Sequence, residues 1–231
     1  MAKIRENEPL PPHTKLSYDE CYAKLILEKF FPNKYENLQL SDKPDLRDLE
    51  HNIGIEVTSV IPKEEQEALN LAAMIPYVDE QSQERRRRRL KKMGYRYTKC
   101  GMAHPPESYM YDGDFNDVNI KDTPCKRFLE AYEEKTRKLN SGNYAELERY
   151  DLYVYSEEVI DSWMIPKLIQ AVSSINVGEK KYRYIYFVTL CEILVFDTEH
   201  DECAGIDIAD GRKLDGLGEK ARKIVEAGEK R

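Results

Sequence analysis

Apolar residues recur at helical spacing over 17–31, SYDECYAKLILEKFF, where Cys21, Tyr22, Leu25 and Ile26 form one stripe. Ser17 stands at the capping position of this predicted helix, and Pro32-Asn33 stop it. The period then shortens to two. Strands are predicted around 36–40, 45–49 and 53–60, with Glu50-His51-Asn52 as the turn between the last two. IPKEEQEALNLAAMI reads as a helix, with Pro62 in its first turn and three acids near its positive end. Periodicity is lost from Pro76 to about Thr123, apart from a helix through a run of arginines, so 77–123 is read as a largely helical and irregular basic insertion. Thr123-Pro124 open a further helix, CKRFLEAYEEKTRKLN, ended by Ser141-Gly142. A strand (YDLYVYS), a helix (MIPKLIQAVSSI) and two strands (YRYIYFVTL, EILVFDT) follow, and GIDI adds a short edge strand. From Gly211 the chain is charged and weakly helical, a peripheral tail over 211–231. No internal repeat is visible.

The order is α-β-β-β-α, insertion, α-β-α-β. Strands interleaved with helices predict one α/β or α+β domain over 1–231, built on a central mixed sheet flanked by helices. A chain of 231 residues can bury a substantial core, and 34% charged residues with a mean hydropathy of −0.71 fit a soluble protein. No run reaches the ~18 apolar residues of a membrane span. The N-terminus MAKIRENEPLPPH has no apolar segment of the kind a secretory signal needs, and the five cysteines form no CxxC, so a reducing cytoplasm is the expected compartment.

Charge is unevenly spread. Residues 81–99 carry nine Lys/Arg against one Glu, a net +8, which leaves −15 elsewhere within the total of −7. Arg85, Arg86, Arg87, Arg88 and Arg89 occupy every side of any helix they form, which a buried face cannot do. A solvated surface is the bland explanation. With Lys91, Lys92 and Arg96 beside Tyr95 and Tyr97, the segment also suits phosphate contact with aromatic stacking, so DNA or RNA is the expected partner.

In the strand IGIEVTS, Ile53, Ile55 and Val57 share one face while Gly54, Glu56 and Thr58 share the other. Glu56 and Thr58 are then about 6–7 Å apart along the strand, with open space expected beside Gly54. If Asp45 sits across the hairpin, its carboxylate and that of Glu56 can converge on one hard cation, for which Mg²⁺ or Mn²⁺ is suited. Taken singly, Asp45 is also an ordinary turn aspartate after Pro44, and Glu56 an ordinary acid on a solvent face.

KPDL followed by GIEVT, behind a helix that contains Glu20, resembles the PD-(D/E)XK superfamily of restriction-endonuclease-like nucleases. The resemblance covers residues 17–75 directly and the later elements by order alone. It implies a restriction-endonuclease-like core in which Asp45 and Glu56 hold metal, Glu20 assists, and a lysine two residues after the second acid stabilises the attacking hydroxide. Here that position is Thr58, whose hydroxyl carries no positive charge. Some members of the superfamily place the lysine on a neighbouring helix. In the helix after Pro124, Phe128, Tyr132, Lys135 and Leu139 fall on one stripe, so Lys135 faces the core, where lysines are rare. Its stem could equally snorkel to water. Lys63 and Lys138 are weaker substitutes. Glu20 has two readings: Ser17-Tyr-Asp-Glu20 has capping-box spacing, while Glu20 shares a face with Ala23, Leu27 and Phe31 that turns towards the sheet.

The expected activity is metal-dependent hydrolysis of phosphodiester bonds in DNA or RNA. The alternative is an inactive member of the same fold that binds nucleic acid or a protein. Asp112, Asp114 and Asn116 begin like a calcium loop, but Asp117 takes the glycine position and Thr123 the terminal glutamate position. Cys100/His104 and His200/Cys203 offer a remote zinc set without strong spacing. Motifs for dinucleotides, P-loop nucleotides, serine hydrolysis and zincins are absent.

Overall fold

The computed structural model describes residues 10, 14–98, 101–103, 119–123, 125–141 and 144–229. Asp112, Asp114, Asn116, Cys100 and His104 lie outside them, as does the Lys63 side chain. The chain divides into two compact units, one of residues 15–60 and 114–231 and one of 61–113 with 1–14. The segment set apart therefore begins at 61 instead of 77.

The larger unit is α/β. Its strands are β1 (Gln39–Leu40), β2 (Leu46–Asp48), β3 (Ile53–Ser59), β6 (Arg149–Tyr155), β7 (Tyr182–Val188), β8 (Glu192–Asp197) and β9 (Glu202–Asp207). They form one mixed sheet in the order β1-β2-β3-β6-β7-β8-β9. β3, β6 and β7 run parallel at its centre, and the antiparallel pairs β1-β2-β3 and β7-β8-β9 extend it on either side. The helices are α1 (Tyr18–Phe30), α4 (Cys125–Leu139), α5 (Ile165–Ile175) and α6 (Leu217–Glu229).

The central strands are buried on both faces, as parallel strands between helical layers must be. On one face Ile53, Ile55, Val57, Tyr153 and Tyr186 pack with Ala23, Ile26 and Leu27 of α1. On the other, Leu152, Val154, Ile185 and Phe187 pack with Phe128, Leu129 and Tyr132 of α4 and with Leu168 and Val172 of α5. Phe128 stacks on Phe187 with centroids 4.2 Å apart. Ser17 caps α1 by accepting the Glu20 backbone N–H at 3.4 Å. The β2–β3 turn is tied by Asp48, which accepts the N–H groups of Glu50 (3.0 Å) and His51 (3.1 Å), and Asn52 takes the left-handed conformation (φ 52°).

The tail, expected at the periphery, instead folds as α6 against α1, with Leu217, Ala221 and Val225 buried. Their spacing of four is one helical face, masked in the sequence by the charges between them. The edge strand starts at Glu202, three residues before GIDI.

The smaller unit joins α2 (Lys63–Met74), α3 (Glu80–Lys92) and the antiparallel pair β4 (Arg96–Thr98) and β5 (Gly101–Ala103). Ala68, Ala72 and Ile75 meet Leu90 and Tyr95 in a core of their own, which is why α2 belongs to this unit. Asp79 caps α3 by accepting the Ser82 N–H at 3.0 Å. Among the described residues, no helix is long and apolar enough to cross a membrane.

Candidate active site

β3 presents Glu56 towards the α4 side of the sheet, where it is 5% exposed. Its Oε2 accepts from Lys135 Nζ at 2.7 Å, and the same ammonium donates to the Val57 carbonyl at 3.3 Å. The α4 stripe explains this placement, since Phe128, Tyr132 and Leu139 are buried and carry Lys135 with them, 17% exposed at its side chain. The ammonium therefore points at Glu56 and not at bulk water.

Asp45 immediately precedes β2. The pairing of Leu46 with Ile55 brings it opposite Glu56, and its Oδ2 accepts the Val57 N–H at 2.7 Å. Burial and the neighbouring Glu56 raise its pKa, against the opposing pull of that N–H and of Lys135. Glu20, in the first turn of α1, feels the same charges. Burial, then Asp45, Asp19 and Glu56, push its carboxyl up to about 7, with Lys135 drawing it back in part. The Glu20 N–H donates to the Ser17 cap, while its carboxyl is coupled to Asp45 and Glu56.

Two tyrosines complete the surroundings, and the sequence offered no signal for either. Tyr144 lies in the segment between α4 and β6; burial, and then the nearby Glu56 carboxylate, raise its pKa. Tyr182, at the start of β7, donates to the Lys135 carbonyl at 3.3 Å. Both stay phenols at neutral pH, able to donate.

Gly54 corrects one expectation. The space beside it is filled: a Cβ there would lie 2.4 Å from Pro44 Cγ and 2.4 Å from Leu147 Cδ1. The leucine end can move, but the proline ring precedes Asp45 and cannot move alone. Gly54→Ala is expected to lose about 1–3 kcal/mol by overpacking and to displace Asp45, which thermal unfolding and cation titration would measure.

Three carboxylates, Glu20, Asp45 and Glu56, are thus coupled around a single ammonium. Burial, and then their mutual repulsion, hold Glu20 and Asp45 above their ordinary range, and a hard divalent cation would relieve that repulsion. No group of three or more His, Cys, Asp or Glu among the described residues is arranged to hold a metal ion. Asp45 and Glu56 would supply the protein ligands, which suits Mg²⁺, an ion that keeps water and phosphate oxygens as its other partners. Thr58, half-buried at the next position on the Glu56 face, adds no charge. Lys138 pairs with Glu134 at 2.5 Å on the surface, away from this role.

The burial of Glu20 among acids has a pH consequence. Glu20 titrates near 7 in the folded protein against an ordinary value of 4.5, so the folded state holds the extra proton between those values. Stability then falls as pH rises through this window and the loss is complete above it. Glu20→Gln is expected to raise the melting temperature at pH 8, by about 1–2 kcal/mol of stability after solvent screening is allowed for, and to change little at pH 4. Melting curves at the two pH values measure it.

The basic run lies in the smaller unit, on α3. Leu90 points into the core there, while Arg85, Arg87, Arg88, Arg89, Lys91 and Lys92 are exposed and Arg86 is half-buried. Arg88 pairs with Glu84 at 3.4 Å and Arg89 with Glu67. Such exposed pairs are weak. The aromatic half of the expectation is corrected: Tyr95 is buried in the small core, and Tyr97 is half-buried with the Arg87 guanidinium 5.9 Å from its ring centroid. His200 Nδ1 lies 3.1 Å from Asp197 Oδ2, and burial pushes the Cys203 thiol up to about 12.

Comparison of the chain with family models, with curated proteins and with solved structures gives no match.

Proposed function

We propose that this protein is a metal-dependent nuclease of restriction-endonuclease-like build, hydrolysing phosphodiester bonds in DNA or RNA in the cytoplasm. One observation carries the reading: Lys135 Nζ lies 2.7 Å from Glu56, opposite Asp45, so two acids and a lysine meet although position 58 is threonine. The order of elements supports it, with a helix, an antiparallel β1-β2-β3 run, and a later helix leading into β6 parallel to β3.

In this reading Asp45 and Glu56 hold Mg²⁺ or Mn²⁺, and Glu20 assists. When bound, such a cation would supply activated water and neutralise charge on phosphate. Lys135 supplies fixed positive charge beside Glu56, the part left vacant by Thr58. Glu20, with its carboxyl near 7, can take or hold a proton at neutral pH. Lys135 fixes the orientation of Glu56. Arg85 to Arg89, Lys91 and Lys92 give nucleic acid a salt-sensitive surface.

The test is cleavage of DNA and RNA by the purified protein with Mg²⁺ or Mn²⁺. Activity is expected with cation, none with chelator, and none in Glu56→Ala. Undiminished cutting by Glu56→Ala would refute the assignment. A second reading, a non-catalytic nucleic-acid-binding member of the same fold, is favoured by Thr58 alone; it predicts binding that weakens with salt and with neutralisation of Arg85 to Arg89, without cleavage.

A further inference from the structure

Three basic side chains converge on one ring, that of Tyr184 in β7. Lys34 Nζ lies 3.4 Å from its centroid, the Arg183 guanidinium carbon 4.5 Å and that of Arg149 5.3 Å. The ring attracts each of them, while they repel one another. Two are neutralised. Arg149 Nε donates to Asp151 at 2.9 Å; Arg183 forks onto Asp197 and reaches Glu199 at 2.8 Å.

Lys34 has no carboxylate of a described residue at ion-pair distance. Burial, together with the nearby Arg149 and Arg183, holds its ammonium below the ordinary lysine range, even against the pull of Asp151 and Asp197. A second donor is also unspent: Arg149 Nη2 is shut off from solvent and has no acceptor among the described residues. Asp151 is already committed to Tyr35 Oη at 2.6 Å, to Arg149 Nε and to the Tyr184 N–H at 3.0 Å.

We propose that Lys34 and Arg149 form a binding site for a phosphate-class oxyanion beside Tyr184. An ammonium and a guanidinium N–H can share one tetrahedral oxyanion through charge-assisted hydrogen bonds, which satisfies both donors and offsets the repulsion among the three cations. The site is distinct from the acidic one. Arg149 pairs with Ile53 in the parallel β3–β6 register, so its side chain leaves the sheet on the face opposite Glu56. The proposal therefore does not depend on the nuclease reading.

The test uses inorganic phosphate against chloride at equal ionic strength. Phosphate is expected to raise the melting temperature of the wild-type protein, as a ligand of the folded state does, and Lys34→Met should lose that rise while keeping the Arg149–Asp151 pair. Acylation of Lys34 by an amine-reactive ester, followed by mass spectrometry of the wild-type protein, needs no variant; phosphate at saturation should slow it by about threefold or more. Repeating the protection with a nucleoside monophosphate separates the sources: stronger protection assigns a phosphate ester, equal protection free phosphate. Phosphate acting no differently from chloride on both readouts, or a full melting shift retained by Lys34→Met, would overturn the site.

Discussion

Lys135→Met is expected to cost about 3–5 kcal/mol of stability, because it strands a buried carboxylate without its cation, and, on the proposed nuclease function, to lower cleavage by about 10²–10³-fold, the usual loss when a preorganised electrostatic contact is removed. Glu56 is 5% exposed, so water cannot replace the ammonium 2.7 Å away. Pairing the substitution with Glu56→Gln separates the two effects. The double variant should recover most of the stability, since a buried ion pair is worth little relative to a neutral pair of similar volume, and should recover no activity. Urea unfolding of the two single variants and the double variant gives the coupling directly.

Asp151→Ala is expected to be comparably damaging, at about 3–5 kcal/mol, through the donors it strands. Asp151 is 0% exposed, on the central strand β6, and accepts from Tyr35, Arg149 and the Tyr184 N–H. Burial outweighs those donors and raises its pKa, so the carboxylate itself gains little from being charged. The cost lies in a partly buried guanidinium and a backbone N–H left without this acceptor, and in a phenol left with Tyr186 alone. Tyr35→Phe removes one of these donors and should cost only about 1 kcal/mol; its hydroxyl also shares a 2.8 Å hydrogen bond with Tyr186. Chemical denaturation of both variants checks the contrast.

Local periodicity made much of the site legible. The two-residue period of IGIEVTS placed Glu56 and Thr58 on one face, and the stripe of α4 put Lys135 among buried aromatics, where the structure has it bonded to Glu56. Features that depend on remote contacts were not legible. Periodicity says which face Gly54 turns to, but not that Pro44 and Leu147 fill the space there. It gave no reason to join α2 to α3, because Ala68 and Ala72 acquire a core only once Leu90 and Tyr95 arrive. Tyr144 stands outside any periodic segment, and the Glu56 carboxylate that helps raise its pKa is 88 positions away in the chain. The strand YDLYVYS gave no signal for the role of Asp151, whose partners come from α1's following loop and from β7.

The most direct measurement of the central claim, that Asp45 and Glu56 form a divalent-cation site served by Lys135, is a calorimetric titration of the full chain with Mn²⁺ near pH 7.5. Saturable binding at one site per chain is predicted, abolished in Asp45→Asn and in Glu56→Gln. No binding by the wild-type protein, or undiminished binding by either variant, would contradict it.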